Sequence, residues 1–260
     1  MANARKPKSA VAPHQGGRER QIEQASVSGR QDEAVEIIQD RLFEQLAKVG
    51  KAVANKQRLK LLELLAQTDR TVEALANEAG LSLANVSQHL QLLRGAGLVE
   101  ARKFGLYVRC RLAGPEVLEL IRSIRLVAGR RYGNLDRIVS GYASDAGGLE
   151  AVDCGELFKR LRRGSTIVID VRPAEEYQAG HIPGAVCVPL AEIQKRLRDL
   201  PRSKEIVAYC RGPYCLLAHR AVEILRRGGR AARRLTDGFP EWAAAGLPVE
   251  RPARLESSPL

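Results

Sequence analysis

The sequence lacks an apolar run of about 18 residues, the length that a membrane-spanning helix needs. Its first twenty residues are polar and basic, without the apolar stretch of a secretory signal. Cysteine is also scarce: the 5 cysteines are an odd number spread over a long chain. That pattern argues against a disulfide framework and favours buried or reactive thiols. We therefore expect a cytoplasmic protein that does not bind membranes.

The net charge of +12 indicates a polyanionic partner such as nucleic acid. The excess is spread evenly along the chain, so charge alone does not locate a binding surface, and DNA binding must be argued from a motif. Residues 1–28 are rich in Pro, Gly, Gln and basic residues without periodicity, which predicts a disordered arm. That arm either touches DNA phosphates or stays a solvated tail.

Helical spacing of apolar residues dominates the first half of the chain. It predicts helices over residues 34–49, 57–66, 72–79 and 83–96. Gly80 is expected to stop the third helix, and Ser82 is a suitable N-cap for the fourth. Two helices joined by so short a turn have helix-turn-helix spacing, in which the second helix enters the major groove.

A predicted β-hairpin follows these helices, with strands over residues 98–103 and 107–112. We interpret it as a wing. In its second strand Arg109 and Arg111 share one face while Cys110 lies on the other. The arginines are therefore expected to point outward to phosphate and the cysteine to point toward the core.

One face of the fourth helix carries hydrogen-bonding side chains of short to medium length, which can reach base edges and phosphates. Val86, Leu90 and Leu93 lie on the opposite face and are expected to pack inward. With the cap and the wing included, the predicted DNA-contacting residues are Ser82, Asn85, Ser87, Gln88, His89, Gln91, Arg102, Lys103, Arg109 and Arg111.

The stretches Leu81-Ser-Leu-Ala-Asn-Val-Ser-Gln-His-Leu and Leu93-Arg-Gly-Ala-Gly-Leu-Val closely resemble the ArsR/SmtB family of winged helix-turn-helix repressors. The resemblance covers residues 34 to about 140. It implies a homodimer that reads a near-palindromic double-stranded DNA operator, with the helices before and after the winged core (34–49 and about 115–140) at the dimer interface. The alternative is a winged helix that binds no DNA and serves as a protein docking module.

The metal ligands of that family have no counterpart at the corresponding positions. Metal-sensing members carry a Cys-x-Cys pair in the helix before the recognition helix, or His and carboxylate ligands on the last dimerisation helix. Here residues 72–79 contain no cysteine, and residues 115–142 contain neither Cys nor His. We therefore expect no metal at those sites and no cofactor, and the sensed signal must lie elsewhere.

In the C-terminal half, the apolar run at residues 206–209 ends at Cys210. A tight loop, Arg-Gly-Pro-Tyr-Cys, follows, and a helical pattern begins near Leu216. Backbone N–H groups and the helix dipole favour a thiolate at such a strand end. The alternative is a buried structural cysteine.

Three separated segments look like those of a single rhodanese domain: residues 170–185, the apolar strand into Cys210, and residues 237–242. The resemblance covers about residues 150–250 and implies a five-stranded, mainly parallel sheet with helices on both faces. It also implies that Cys210 takes sulfane sulfur from a donor as a persulfide and passes it to a thiol acceptor.

The residues near Cys210 also have expected roles. Arg211, if it turns toward the pocket, supplies positive charge for an anionic donor such as thiosulfate. Asp170 and Arg172 either support the loop or form a structural ion pair. Cys215 either resolves the persulfide as a disulfide or caps the loop as a small apolar residue.

Phosphatases and arsenate reductases of the same fold use a Cys-x5-Arg loop, whose arginine clamps an oxyanion. Counting from Cys210, that position is Leu216. We therefore expect neither activity, and sulfane-sulfur chemistry is retained.

The predicted fold class is a mainly α winged helix-turn-helix domain followed by an α/β rhodanese domain. The predicted division is an arm at 1–28, a DNA-binding and dimerisation domain at 29–140, a linker at 141–148, a rhodanese domain at 149–250 and a tail at 251–260. The leading hypothesis is a transcriptional regulator in which persulfide formation at Cys210 gates operator binding. The alternatives are a thiosulfate or persulfide sulfurtransferase whose DNA-binding domain acts independently, and a regulator whose rhodanese domain is an inert docking module.

Overall fold

The computed structural model describes residues 16–105, 107–132 and 151–251, with side chains from Val35 onward. The chain divides into two compact units, Met1–Lys51 and Ala52–Leu260. None of the described helices is long and apolar enough to cross a bilayer.

Most of helix α1, Gly16–Val53, belongs to the first unit. The predicted disordered arm is wrong for residues 16–28, which are helical. Glu, Gln and Arg are frequent there, all with high helix propensity, and no proline interrupts the segment. Residues 1–15 lie outside the described part of the chain. The large apolar side chains of α1 that are at least half exposed are Val35, Ile37, Ile38, Leu42, Phe43 and Leu46.

The second unit begins with a winged-helix core. Its helices are α2 (Lys56–Leu65), α3 (Val72–Ala79), α4 (Leu83–Gly95) and α5 (Pro115–Arg131). Its strands β1 (Arg70–Thr71), β2 (Val99–Phe104) and β3 (Tyr107–Leu112) form an antiparallel sheet in the order β1-β3-β2. The short strand β1 is the one element of this core that the sequence analysis does not predict.

The helix-turn-helix forms for the reasons that its sequence indicates. Gly80 ends α3 with a left-handed φ of 66°, which favours glycine. The Ser82 hydroxyl caps α4 by accepting a hydrogen bond from the Asn85 amide at 3.3 Å. Val86 and Leu93 are fully buried, so the opposite face of α4 is presented to solvent.

The α/β domain follows in the same compact unit. Its elements are β4 (Ala151–Val152), α6 (Cys154–Arg162), β5 (Thr166–Asp170), α7 (Ala174–Ala179), β6 (Val186–Cys187), α8 (Ile193–Arg196), β7 (Glu205–Tyr209), α9 (Leu216–Arg227), β8 (Ala232–Leu235) and α10 (Phe239–Ala244). The five strands pair in parallel in the order β4-β8-β7-β5-β6. A five-stranded parallel sheet is therefore confirmed.

Helices cover both faces of this sheet. Ile206 and Ala208 of β7 pack into a cluster that includes residues of α9. Val207 and Tyr209 of the same strand pack into a second cluster that contains the fully buried Trp242. The alternation explains why the sequence of β7 is continuously apolar, as in parallel sheets buried on both sides.

Cys187 lies half-buried on the edge strand β6, which pairs with one neighbour only. The predicted linker at residues 141–148 lies outside the described residues. The winged-helix core and the α/β domain share one compact unit because side chains of each contact the other, as described below.

Ser82 was predicted to contact DNA, and its capping role adds a separate consequence. We expect Ser82→Ala to lower the free energy of unfolding by about 1 kcal/mol, because the Asn85 amide loses its partner. Ser87→Ala, an exposed serine of the same helix, should change it by less than about 0.5 kcal/mol. Urea unfolding of both variants measures this, and equal stabilities would contradict the capping role.

Candidate functional site

The exposed face of α4 gathers four of the predicted DNA-contacting residues. Asn85, Ser87, Gln88 and Gln91 are all exposed there. On the wing Arg102, Lys103 and Arg109 are exposed as well. The arrangement presents hydrogen-bonding groups on a helix and positive charge on the adjoining hairpin, as base and phosphate contacts require.

Two predicted contacts are placed differently from expectation. His89 is half-buried, and its Nδ1 atom is buried without a hydrogen-bond partner in the described structure. Arg111 hydrogen-bonds Glu100 at 2.6 Å across the hairpin, which raises the pKa of Arg111 and neutralises its charge locally. The sequence pattern gave the face of the strand correctly, but it carried no sign of the facing carboxylate.

Arg94 belongs to the same surface, although the sequence analysis does not single it out. It lies in the last turn of α4 and lines an open groove of about 530 Å³ with Gln91 and Arg102. A basic residue three positions after a predicted contact on the same helix is the signal that would have found it.

Cys210 lies directly after β7, at the carboxyl edge of the sheet where open α/β folds bind ligands. Its side chain is almost completely buried, and its Sγ lies 3.4 Å from the Cys215 carbonyl oxygen. Behind it, the amide of Phe239 donates to the Cys210 carbonyl at 3.0 Å. A Cβ on Gly238 would lie 2.3 Å from the Gly212 nitrogen, so only glycine fits against the loop. The Asp-Gly-Phe-Pro segment thus supports the loop from behind.

The two loop thiols influence each other strongly. Burial raises the pKa of Cys210 well above its ordinary value, and the neighbouring Cys215 raises it further. The pKa of Cys215 is lowered, first by a hydrogen bond from Cys210 and then by backbone groups of the loop. Burial thus disfavours the expected thiolate at Cys210 in the closed loop, whereas the lowered pKa of Cys215 favours charge on that sulfur, beside the start of α9.

Asp170 and Arg172 form a completely buried ion pair at the end of β5. The guanidinium Nε and Nη2 atoms donate to the carboxylate at 3.0 and 2.6 Å, and Nη2 also donates to the Gly180 carbonyl at 2.8 Å. The ring of Phe239 lies 4.4 Å from the guanidinium carbon. The pair thus stabilises the structure around it, and it is also connected to the Cys210 loop through one further residue.

That residue is Gln67, which follows α2 in the winged-helix core. Its Oε1 accepts from Arg172 at 3.2 Å, and its Nε2 donates to the Arg211 carbonyl at 3.1 Å. The side chain is buried. A residue of the DNA-binding part therefore contacts the backbone next to Cys210, which no local sequence signal indicates.

The Arg211 side chain differs from its expected orientation toward an anionic donor. Its guanidinium pairs with Glu176 at 2.6 Å and with Glu78 of α3 at 2.7 Å. Arg70 of β1 pairs with the same two carboxylates, with Glu176 at 2.5 Å and also with Glu78. Arg70, Glu78, Glu176 and Arg211 thus close a ring of alternating charge, here called the charge ring. Two of its members come from the winged-helix core and two from the α/β domain.

The rest of the loop lies against α5. A Cβ on Gly212 would come within 3.2 Å of the Arg125 guanidinium, and a Cβ on Gly129 within 2.6 Å of the Tyr214 hydroxyl. Arg125 also pairs with Glu241 at 2.8 Å. A cavity of about 330 Å³ opens beside the loop; its lining comes from α5, from the loop residues Pro213 and Tyr214, and from the segment after β8.

Within the described residues, no group of three His, Cys, Asp or Glu side chains is arranged to hold a metal ion. All five cysteines are free, and Cys110 is buried in the winged-helix core as its position in β3 predicts. Cys154 is also buried, with its thiol 3.6 Å from an Asp237 carboxylate oxygen. Burial raises the pKa of Cys154 to about 12 and that of Cys110 above its ordinary value, so neither is an activated thiol.

Comparison with known proteins identifies both parts of the chain. Residues 55–101 match the family described as bacterial regulatory protein, arsR family, and residues 153–245 match the rhodanese-like domain. The HTH-type transcriptional regulator Rv0324 of Mycobacterium tuberculosis is 46% identical over 82% of this chain and 93% of its own length. The chain belongs to the arsR family of regulators and carries a rhodanese-like domain. The predicted family and fold class are thereby confirmed.

Relatives of the separate parts are also known. A sulfurtransferase of Allochromatium vinosum is 29% identical over 39% of this chain and 94% of its own length. The winged helix-turn-helix domain of Mb0332 from Mycobacterium bovis, described as homodimeric, is 44% identical, and the match covers 35% of this chain and 85% of that one with a TM-score of 0.34.

The thiol pair of this arsR-family regulator gives a pH prediction. The hydrogen bond from Cys210 is the largest cause of the lowered pKa of Cys215, so Cys210→Ala should raise that pKa toward the ordinary cysteine value of about 8.5. The pH midpoint for alkylation of Cys215 measures it. Cys187→Ala, at the edge strand, is the control and should leave the midpoint unchanged. A midpoint in Cys210→Ala equal to or below that of the unaltered protein would contradict the assignment.

Proposed function

We propose that this arsR-family regulator accepts sulfane sulfur at Cys210 and that the sulfur state of the loop sets its affinity for operator DNA. The observation that carries the proposal is the charge ring, in which Arg211, next to Cys210, pairs with Glu78 at 2.7 Å near the end of α3. The α3 helix is joined to the recognition helix α4 by a turn of three residues, 80–82.

The DNA-binding part of the proposal rests on the exposed polar face of α4 and the exposed basic residues of the wing. A regulator that binds operator DNA acts in the cytoplasm, and this proposal includes no membrane contact. A homodimer is supported by apolar side chains that stay exposed on the helices flanking the winged core. They are Val35, Ile37, Ile38, Leu42, Phe43 and Leu46 on α1, and Leu126 and Val127 on α5.

The proposed sulfur chemistry begins with a persulfide donor, R–S–SH, reaching the loop from the cavity beside Tyr214. The Cys215 thiolate takes the proton of Cys210, whose sulfur attacks the outer sulfur of the donor. A Cys210–sulfur bond forms, the donor's S–S bond breaks, and R–S⁻ leaves with the electron pair. No net oxidation occurs, because one persulfide replaces another.

Cys215 then supplies a second step. Because its pKa is lowered, Cys215 gives the proton to the departing R–S⁻, which leaves as R–SH, and then attacks Cys210 Sγ of the persulfide. The Cys210–Cys215 disulfide forms and HS⁻ leaves, so the two cysteines are oxidised and the transferred sulfur is reduced to sulfide. The same persulfide passes to an external thiol if such an acceptor reaches it first. That outcome is sulfurtransferase turnover.

Either product is expected to alter the position of Arg211, because the loop between the two cysteines is only four residues long and lies against Gly238 and α5. An added sulfur atom at Cys210 must be accommodated at a residue that is only 2% exposed. Moving Arg211 changes its contact with Glu78, so the arrangement of α3 and α4 is coupled to the sulfur state. A coupling free energy between the two sites is the physical requirement for such a regulator.

The experiment is operator binding at fixed salt, since phosphate contacts make affinity salt-dependent. Upstream DNA of the protein's own gene is the probe. We expect treatment with a persulfide donor to change Kd by about tenfold, which corresponds to about 1.4 kcal/mol of coupling. The Cys210→Ser variant should bind DNA like the reduced protein before and after treatment.

Mass spectrometry of the loop peptide completes that experiment, because it shows whether Cys210 gained sulfur or a disulfide formed. Persulfide or disulfide formation with unchanged Kd would contradict gating. An unchanged Kd together with repeated transfer of sulfur to a thiol acceptor would favour a sulfurtransferase whose DNA-binding domain acts independently.

A further inference from the structure

Residues of the winged-helix core hold the loop that carries Cys210. The Arg211 carbonyl accepts a hydrogen bond from Gln67 at 3.1 Å, and the Arg211 guanidinium pairs with Glu78 at 2.7 Å. Gly212 and Tyr214 lie against α5. Three of the four residues between the two cysteines therefore contact the DNA-binding part of the same chain.

Gln67 is suited to this contact in a way that few side chains are. Its amide supplies an acceptor to Arg172 at 3.2 Å and a donor to the Arg211 carbonyl at 3.1 Å, both in a buried environment. A carboxylate offers no donor and an ammonium offers no acceptor, so neither replaces it. Because Arg172 is fixed by the buried Asp170, the amide of Gln67 has a rigid anchor on one side and the reactive loop on the other.

Glu78 supplies the second connection. It is the residue before the last one of α3, and it receives one guanidinium from each domain, Arg70 and Arg211. Glu176, completely buried, receives the same two. The position of Arg211 is thus set jointly by a carboxylate of the helix-turn-helix and a carboxylate of the α/β domain.

We propose that Gln67 and Glu78 are positioning residues of the Cys210 site, so that the winged-helix core itself holds the loop in the closed form that covers Cys210. This proposal rests on the proposed function where it treats Cys210 as a sulfur acceptor. The contacts of Gln67 and Glu78 with the loop do not depend on that function. In the proposed function the sulfur state of the loop changes DNA binding. Here, in the opposite direction, the winged-helix core sets the reactivity of the loop thiols.

The test measures alkylation of each cysteine of the full-length protein by iodoacetamide, resolved by peptide mass spectrometry. We expect Gln67→Ala and Glu78→Gln each to raise the alkylation rate of Cys210 by about fivefold or more, because a released loop exposes a thiol that is now only 2% exposed. In both variants the pH midpoint of Cys215 should move up as its hydrogen bond from Cys210 is weakened.

The control variant is Glu73→Gln, which removes an exposed carboxylate from the same helix outside the charge ring. It should leave both loop thiols unchanged. Cys110 and Cys154 serve as internal references, because they are buried in the winged-helix core and in the α/β domain, respectively. General unfolding raises the rates of all buried thiols together, whereas release of the loop raises those of the loop alone.

The proposal is overturned if both variants leave Cys210 alkylation within about twofold of the unaltered protein, or if Cys110 and Cys154 rise in parallel with it. The measurement needs no sulfur donor. A protein that forms no persulfide at Cys210 would therefore end the proposed function without affecting this result, and the two failures are distinguishable.

Discussion

The charge ring is the interaction on which the relation between the two domains depends. Arg70 and Glu176 are its buried members, and Glu78 and Arg211 are its partly exposed members. Two positive and two negative groups compensate each other, so the ring is tolerated in a place that no single charge would occupy. Removing one member of a buried pair costs about 3–5 kcal/mol because its partner stays buried and uncompensated. This makes the ring sensitive to displacement of any one residue, and Arg211 is the member attached to a reactive thiol.

The closed loop has a chemical consequence of its own. Cys210 is covered and is supported from behind by Gly238, and burial raises its pKa, while the lowered pKa of Cys215 favours charge on the neighbouring sulfur. A thiol that is covered in this way reacts when the loop opens. Arg211, the cation expected to bind an anionic donor, is already paired with two carboxylates.

Much of this molecule was predictable from local patterns. The cap at Ser82, the stop at Gly80 and the burial of Cys110 in β3 follow from backbone and side-chain preferences that act over a few residues, and the structure confirms them. The strand–loop–helix around Cys210 follows from its apolar run. The extension of α1 to residue 16 was missed because a polar segment without apolar periodicity reads as disordered although its residues favour helix.

The connection between the domains had no such local signal. Gln67 and Arg211 are 144 residues apart in the chain, and Arg70 and Glu176 are 106 apart. Each looks like an ordinary surface residue in its own segment. Only packing of the two domains reveals that they meet, and it also explains Gly212, where a larger side chain would crowd Arg125.

The central claim is that the reactive loop and the helix-turn-helix are one linked system, and linkage must be reciprocal. The most direct measurement is the alkylation rate of Cys210 and Cys215 in the free protein and in its complex with operator DNA, with the half-buried Cys187 as the reference thiol. The account predicts that operator binding changes the rates of the two loop thiols by about fivefold or more and leaves Cys187 unchanged. Equal rates at the loop in free and bound protein would contradict it.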